Sequence, residues 1–312
     1  MDFEELTRKG RRVNNLKYWQ GSSFINAVCE QLDKWTDSSS SDYLEPSERF
    51  AVFDLDGTLW CEKPLITEIA FWLHELKSVQ ENEQHGPFHS EIQALLEQAE
   101  DGKTSIVAET ARLYHLVFPL QSSELYINKV REWLATTNHP RYRISHRKMV
   151  YQPMLSLLLL LQSHGFRCVI DTGSTNEFAI ALCQDVLNLS DHDIIGSYRV
   201  MDNDSSSLVV NIGEVKVTQF KQRYDCAPVI AVGNTMHDLP LIKWANENAA
   251  AVTGFVHHDD NQREYQYDFD LKLKAYLSNP SSQSHTISMK RHWVEVFESD
   301  VVSADKGLVS QV

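Results

Sequence analysis

Two aspartates near residue 54 have the type and spacing to hold a cation and to attack phosphorus. Asp54 and Asp56 follow Phe50-Ala51-Val52-Phe53, an apolar run typical of a buried strand. Since alternate residues of an extended chain point to the same side, both carboxylates would project together where the strand ends. Gly57 lets the backbone turn beside them. Converging carboxylates repel each other unless a cation or a proton separates them, and Mg²⁺ takes oxygen ligands of this kind. One carboxylate could then act as a nucleophile while the other transfers protons.

Polar residues also follow two later strand-like runs. Cys168-Val169-Ile170 leads into Asp171-Thr172-Gly173-Ser174, and Val229-Ile230-Ala231-Val232 leads into Gly233-Asn234-Thr235-Met236-His237-Asp238. Open α/β sheets bind ligands beyond the carboxyl ends of their strands. A threonine hydroxyl and the N–H groups of a helix start can bind a phosphoryl oxygen there, although Thr172 or Ser174 could instead be an ordinary helix N-cap. Asn234 and Asp238 offer two oxygen ligands four residues apart.

A phosphate site in this chain must be made positive locally. The formal net charge is −14, from 29 basic and 43 acidic side chains. A metal ion and a lysine would supply the missing positive charge, and the resemblance described below implies Lys216 for this role. Such a lysine would neutralise both the phosphate and the nucleophilic carboxylate. Lys221 is the competing candidate.

These motifs, in this order, resemble those of the haloacid dehalogenase-like superfamily, in its phosphatase branch. Asp-x-Asp-Gly-Thr at 54–58 is similar to the opening motif, and Thr172, Lys216 and the pair Asn234 and Asp238 are similar to the second, third and fourth. The stretches 56–64, 150–154, 233–235 and 257–260 are similar to a bacterial branch of phosphoserine phosphatase-like hydrolases. The similarity covers roughly residues 17–298.

The resemblance implies a Mg²⁺-dependent phosphatase that hydrolyses a small phosphorylated metabolite through an aspartyl-phosphate. Asp54 would be the nucleophile and Asp56 the general acid and base, with Thr172 and Lys216 completing the catalytic residues. The implied phosphate-binding residues are Gly57, Thr58, Thr172, Gly173 and Lys216. The implied Mg²⁺ ligands are Asp54, Asp56 (through its backbone carbonyl), Asn234 and Asp238.

Several residues depart from the family pattern or are ambiguous. Asp171 is an acid directly before the phosphate hydroxyl, so it either points away, binds a hydroxyl or ammonium group of the substrate, or weakens phosphatase activity. Asn234 is neutral and therefore a weaker ligand than the aspartate of many relatives. His237 replaces a residue that is often glycine and is interpreted as a surface histidine. Glu62 and Lys63 either contact the substrate or face solvent.

Other functions fit the same motifs. A phosphotransferase would differ only in the acceptor that replaces water. A binding or regulatory protein on a catalytically weakened scaffold would explain Asp171, Asn234 and His237. Dehalogenation is disfavoured because it needs no second aspartate at position 56.

The elements that must position these residues form an α/β protein. We expect a Rossmann-like three-layer core with a parallel sheet, plus a helical cap domain inserted after the first catalytic strand. The core would comprise 1–59 and 150–300, with 1–48 a helical lead-in in which Phe24, Ile25, Val28, Leu32 and Trp35 recur at helical spacing. The cap would span 60–149, because a structureless loop of that length is implausible in a compact protein. Residues 301–312 would be a tail.

After Tyr151, strand-like and helical runs alternate, which indicates a parallel sheet covered on both faces. The predicted strands are 166–170, 193–197, 207–210, 228–232, 249–252 and 286–289, and the predicted helices are 153–162, 178–187, 217–224, 239–246 and 293–297.

The composition limits the binding partners and the cellular location that we expect for this protein. The strong negative charge disfavours nucleic acid and anionic membranes as partners. Five widely spaced cysteines without a Cys-x-x-Cys argue against disulfides or a zinc site and favour a reducing compartment. The N-terminus lacks a signal-peptide pattern, and the longest apolar run, 155–161, is too short to span a bilayer. We therefore expect a cytoplasmic protein, and the sequence gives no indication of its oligomeric state.

Overall fold

The computed structural model describes residues 16–82, 86, 88–100, 106–118, 122–202 and 205–298. The first fifteen residues of the predicted lead-in and the whole predicted tail at 301–312 lie outside the described residues.

A mostly parallel sheet forms the centre of the protein. Its strands are β1 (Phe50–Phe53), β2 (Arg167–Thr175), β3 (Ile194–Asp202), β4 (Ser205–Val209), β5 (Ile230–Gly233), β6 (Val252–His257) and β7 (His285–Ser288). In the described part of the chain these seven strands form one sheet in the order β4-β3-β2-β1-β5-β6-β7. Neighbouring strands are parallel except β3 and β4, which are antiparallel. The predicted parallel α/β sheet is confirmed.

Helices connect and cover these strands. They are α1 (Ser23–Thr36), α2 (Thr67–Asn82), α3 (His89–Glu100), α4 (Ile106–Val117), α5 (Ser123–Thr136), α6 (Gln152–Ser163), α7 (Asn176–Leu187), α8 (Glu214–Arg223), α9 (Leu239–Ala245), α10 (Leu271–Leu277) and α11 (Met289–His292). We refer to α2–α5, which lie between β1 and β2 in the chain, as the inserted helices.

The strands bury both faces, as their continuous apolar sequence requires. In β1, Ala51 and Phe53 pack in one hydrophobic cluster with α1, α6 and α7. Phe50 and Val52 point to the opposite face and pack in a second cluster with α8, α9 and α10. The result is the predicted three-layer core, in which the alternation of side chains along each strand separates the two clusters.

Among the described residues, the predicted lead-in contains one α-helix, α1, and the stretch 60–149 contains the inserted helices. Helix α1 buries the five apolar residues that predicted it, and the side chain of Ser22 caps its N-terminus. The inserted helices contribute Phe71, Leu76, Val130 and further residues to the same cluster as the first face of the sheet. Helix α5 packs against α7, so the insertion lies directly on the core.

Several boundaries differ from the sequence predictions for identifiable reasons. Strand β6 begins at Val252, because the preceding alanines form a turn whose N–H groups bond to Asn248. The predicted helix 293–297 is wrong. Helix α11 ends at His292, before this range, and Val296 and Phe297 pack into the core without being helical. Helix α10 was not predicted, and it begins where Asp270 caps two backbone N–H groups.

No disulfide joins any two of the five cysteines, all of which lie within the described residues. None of the helices in the described ranges is both long and apolar enough to cross a bilayer.

Candidate active site

Three adjacent parallel strands bring the predicted residues to one edge of the sheet. β1 lies between β2 and β5, so their carboxyl ends meet. Asp54 directly follows β1, and its N–H donates to the carbonyl of Val232 in β5, 2.9 Å away. Thr172 lies in β2, and Asn234 directly follows β5. The topology therefore places these side chains together although they are far apart in sequence.

Lys216 is the central charge of the site. It lies in the first turn of α8, and its side chain is only 2% exposed. Its Nζ lies 2.7 Å from Oδ1 of Asp54, 2.6 Å from Oδ1 of Asp238 and 2.6 Å from the carbonyl of Asp171. All three ammonium hydrogens are therefore used. Burial acts to lower the pKa of Lys216, but the carboxylates of Asp238, Asp54 and Asp171 outweigh it and raise that pKa, so the lysine is charged. Lys221, the competing candidate, is exposed and lies over the ring of Trp244.

Asp54 is held at both oxygens. Oδ1 accepts from Lys216, and Oδ2 accepts a 3.3 Å hydrogen bond from the hydroxyl of Thr58. Burial raises the pKa of Asp54, the neighbouring Asp238 raises it further, and Lys216 opposes both. Lys216 is thus the protein group that favours the ionised, nucleophilic form of Asp54.

Asp56 is suited to exchanging a proton. Its Oδ2 accepts a 2.7 Å hydrogen bond from the hydroxyl of Ser174, while its buried Oδ1 has no hydrogen-bond partner among the described residues. Burial raises the pKa of Asp56 to about 6, with the Ser174 hydrogen bond opposing and the charge of Glu62 adding to the rise. A carboxyl group with such a pKa can both give and take a proton near neutral pH.

The segment after β5 presents an amide oxygen to the same place. Oδ2 of Asp238 accepts from the N–H groups of Asn234 and Thr235 at 3.0 and 2.9 Å, and its Oδ1 accepts from Lys216. Both Asp238 oxygens are therefore occupied by protein donors. By contrast, the buried Oδ1 of Asn234 has no partner within the described ranges. The side chain of His237 is exposed, which confirms its interpretation as a surface histidine.

Gly57 allows the loop that directly follows β1, which we call the opening loop, to contact the segment after β5. Its φ is +75°, and a Cβ placed there would lie 1.9 Å from Nδ2 of Asn234. Only glycine fits such a conformation and such a contact. The N–H of Gly57 donates to the carbonyl of Trp60 at 2.7 Å, and its carbonyl accepts from Nε2 of His258 at 2.8 Å. Its predicted phosphate-binding role remains a prediction.

The segment at the end of β2 forms the remaining wall. The hydroxyl of Thr172 accepts from the N–H of Ser174 at 3.1 Å, and the carbonyl of Gly173 accepts from Ser197 at 2.7 Å. Thr175, rather than Thr172 or Ser174, caps α7. The carboxyl group of Asp171 is fully buried, accepts from Nδ2 of Asn211 at 2.6 Å, and has its pKa raised to about 7, chiefly by burial.

Sequence reasoning missed two buried acids that support this edge. Glu264 lies 3.0 Å from Nδ1 of His258, whose Nε2 donates to Gly57, and its other oxygen accepts from Cys61 at 3.1 Å. Glu68, at the start of α2, accepts from the N–H of Thr175 at 2.8 Å and from its hydroxyl. Neither acid lies in a local motif. In the sequence, His258 was indicated only by the similarity of the stretch 257–260 to phosphoserine phosphatase-like hydrolases.

The oxygens available here fit a hard cation. The unpartnered, buried Oδ1 atom of Asn234 and the carboxylate of Asp54 are ligands of the kind that Mg²⁺ takes. The backbone carbonyl of Asp56 could serve as a further ligand and would leave the carboxyl group of that residue able to exchange a proton. The described residues contain no group of three His, Cys, Asp or Glu side chains that could hold a metal, so a cation would need the amide oxygen or a backbone carbonyl as well. Asp54 and Asp238, both predicted ligands, accept hydrogen bonds at each of their carboxylate oxygens, and each oxygen keeps a second lone pair.

A cleft opens beside the β2 segment. The inserted helices supply one wall and the core supplies the other. The lining includes Tyr114, His115, Phe118 and Tyr126 from the inserted helices and Thr175, Ser197 and Arg199 from the core. Ser197 also contacts the Gly173 carbonyl, so the cleft adjoins the predicted phosphate-binding segment.

Comparison with known proteins agrees with this fold. A conserved protein of unknown function from Anaerococcus prevotii DSM 20548 superposes with a TM-score of 0.57 at 13% identity, over 88% of this chain and 98% of that chain. A protein of unknown function from Bordetella pertussis Tohama I gives 0.47 at 14% identity, over 76% and 98%. A phosphoserine phosphohydrolase-like protein from Francisella tularensis subsp. tularensis SCHU S4 gives 0.38 at 15% identity, over 74% and 100%. Of these three structures, the Anaerococcus protein is the one with a TM-score above 0.5, and its likeness to this chain shows the fold alone.

No curated protein matches the chain. The model of one family, described as haloacid dehalogenase-like hydrolase, matches residues 51–243. That range begins in β1 and includes the opening motif, Thr172, Lys216, Asn234 and Asp238. The chain therefore belongs to the haloacid dehalogenase-like hydrolase family.

Proposed function

We propose that this hydrolase is a Mg²⁺-dependent phosphatase that acts on a small phosphomonoester through an aspartyl-phosphate. The observation that carries the proposal is the position of Lys216, whose ammonium group lies within 2.7 Å of an oxygen of Asp54 and of Asp238. A buried cation beside a nucleophilic carboxylate can neutralise an approaching phosphoryl group. The buried, unpartnered amide oxygen of Asn234 supports a second positive charge next to it.

In the first step, an oxygen of Asp54 would bond to phosphorus as the bond from phosphorus to the leaving oxygen breaks. Asp56 would give its proton to that oxygen, so that the product is a neutral alcohol. In the second step, Asp56 would take a proton from water as the water oxygen attacks phosphorus. The bond to Asp54 then breaks, releasing inorganic phosphate.

Asp54, the backbone carbonyl of Asp56, Asn234 and Asp238 would hold the Mg²⁺, which would supply positive charge next to the phosphoryl group. Thr172 and Gly173 would bind the phosphoryl oxygens, and Lys216 would hold the nucleophile ionised.

The inserted helices would act as the cap, and the cleft beside Thr175 would receive the leaving group. Its walls carry aromatic rings and the pair Arg199 and His115, which suits a small organic phosphate better than a polymer. Cysteines that form no disulfides support a reducing, cytoplasmic location, and the net charge of −14 supports the absence of a nucleic-acid partner.

A phosphate-release screen over phosphorylated metabolites, with Mg²⁺, Mn²⁺ or Co²⁺ supplied, tests this proposal. We expect turnover by the wild type, and a loss of at least about 10³-fold in Asp54→Asn, since the amide is not a nucleophile. Asp225→Asn makes the same chemical change at an exposed position and should leave turnover intact. Equal phosphate release by Asp54→Asn would refute the proposed nucleophile. Turnover of no phosphoester would instead favour a binding protein, and an added alcohol that becomes phosphorylated would indicate a transferase.

A further inference from the structure

Glu62 lies directly behind the amide of Asn234. Nδ2 of Asn234 is 3.3 Å from Oε1 of Glu62. Both residues are buried, with Glu62 9% exposed and Asn234 5% exposed. Glu62 belongs to the loop after β1, so this contact joins the opening loop to the segment after β5. The burial excludes the interpretation that Glu62 faces solvent, whereas a contact with the substrate stays a prediction.

The carboxylate fixes which way the amide points. An ionised carboxylate can only accept hydrogen bonds, so the NH₂ group of Asn234 must face it. Oδ1 of Asn234 is then turned the other way. This Oδ1 atom is buried and has no hydrogen-bond partner among the described residues. The same is true of Oδ1 of Asp56. Without Glu62, nothing in these contacts would prevent the amide from presenting its NH₂ group, which repels cations, to the same place.

The contact between Glu62 and Asn234 is possible because residue 57 is a glycine and has no side chain. A Cβ there would lie 1.9 Å from Nδ2 of Asn234 and 2.9 Å from Cδ of Glu62. The opening loop thus leaves room for a carboxylate and an amide to meet across its turn.

We propose that Glu62 is a positioning residue for the cation site: it orients Oδ1 of Asn234 toward the Mg²⁺ and supplies, one hydrogen bond further out, the negative charge that a neutral amide ligand lacks. This inference rests on the proposed Mg²⁺ dependence. Groups that orient a metal ligand commonly change metal affinity by about 10- to 100-fold when they are removed. Glu62 itself need not touch the ion.

Calorimetric titration of the full chain with Mg²⁺ tests this role without any substrate. Glu62→Gln keeps an acceptor for Nδ2 but loses the charge, and we expect its Kd for Mg²⁺ to rise about 10-fold. Glu62→Ala loses both, and we expect a rise toward about 100-fold. Glu247→Gln removes an exposed carboxylate and should not change the Kd. Thermal unfolding without Mg²⁺ verifies that each variant is folded.

A second pair of variants separates positioning from a general loss of charge. In Asn234→Asp the ligand carries its own charge, and Glu62 becomes a repelling neighbour. Glu62→Gln should then weaken Mg²⁺ binding when residue 234 is asparagine, but leave it unchanged or strengthen it when residue 234 is aspartate. An equal loss in both backgrounds, or no loss in either, would overturn the inference while leaving the proposed phosphatase intact. A wild type that binds no Mg²⁺ at all would refute both this role and the Mg²⁺ dependence. The phosphate-release screen would then show separately whether the protein is a phosphatase.

Discussion

The ammonium group of Lys216 lies 2.7 Å from a carboxylate oxygen of Asp54, although the two residues are 162 positions apart in the chain. The contact forms because β1 ends where α8 begins to cover the sheet. Its consequence is a buried positive charge next to the proposed nucleophile.

Replacing Lys216 by methionine should reduce both activity and stability. The change leaves Asp54 and Asp238 buried without their cation, and breaking a buried ion pair in this way costs about 3–5 kcal/mol. Phosphate release should fall by at least about 10²-fold, since the charge also stabilises the transition state. Lys221→Met is the matched control, because Lys221 is an exposed lysine of the same helix. A folded Lys216→Met protein with wild-type turnover would contradict the role of this residue.

Glu68 should make the stability of the protein depend on pH. Burial raises its pKa to about 7 against an ordinary value of 4.5, although hydrogen bonds from Thr175 oppose the rise. The folded state therefore binds this proton more tightly than the unfolded state. The resulting stabilisation is fully present below about pH 4.5 and is lost as pH rises through 7, by up to about 3 kcal/mol.

The variant Glu68→Gln, which does not titrate, isolates this effect. The difference in free energy of unfolding between wild type and Glu68→Gln should shift in favour of the variant between pH 5 and pH 8, as measured by denaturant unfolding. Glu97→Gln, at an exposed position of α3, should show no such shift. A difference that is constant with pH would mean that Glu68 is not buried in its acid form.

Gly57→Ala should disturb the site beyond its effect on the backbone. Both Gly57 and Gly21 have positive φ, +75° and +51°, but only Gly57 has neighbours within reach of a Cβ. Gly21→Ala therefore reports backbone strain alone, about 1 kcal/mol. Gly57→Ala should add the displacement of Asn234 and so weaken Mg²⁺ binding, measured by the same calorimetry. Equal behaviour of the two variants would show that the close contact does not matter.

His258→Ala should destabilise the opening loop. The ring donates to the Gly57 carbonyl and contacts Glu264, and both partners would be left buried without it. We expect a loss of about 2 kcal/mol or more in the free energy of unfolding. The neighbouring His257 is partly exposed and pairs with the exposed Asp268, so His257→Ala should change stability by less than about 1 kcal/mol. A similar cost for both histidines would refute this support role.

The sequence predicted the parts of the site that follow from strand ends. Asp54, Thr172 and Asn234 each lie at or directly after the end of a strand-like run, and parallel strands bring such ends together. Glu68 and Glu264 were missed because each acts on a residue far from it in the chain, 107 positions for Glu68 and Thr175. The helix predicted at 293–297 was wrong because Val296 and Phe297 are apolar in order to pack into the core, and not because they form one face of a helix. Local periodicity does not distinguish that from a helix.

The most direct test of the account is the identity of the residue that becomes phosphorylated. The protein would be mixed with a substrate found in the screen and with Mg²⁺, quenched in acid during turnover, digested and analysed by peptide mass spectrometry. We expect one added phosphoryl group on Asp54 in the wild type and none in Asp54→Asn. Active enzyme with the phosphoryl group on another residue, or with no phosphorylated residue at any time during turnover, would contradict the proposed mechanism.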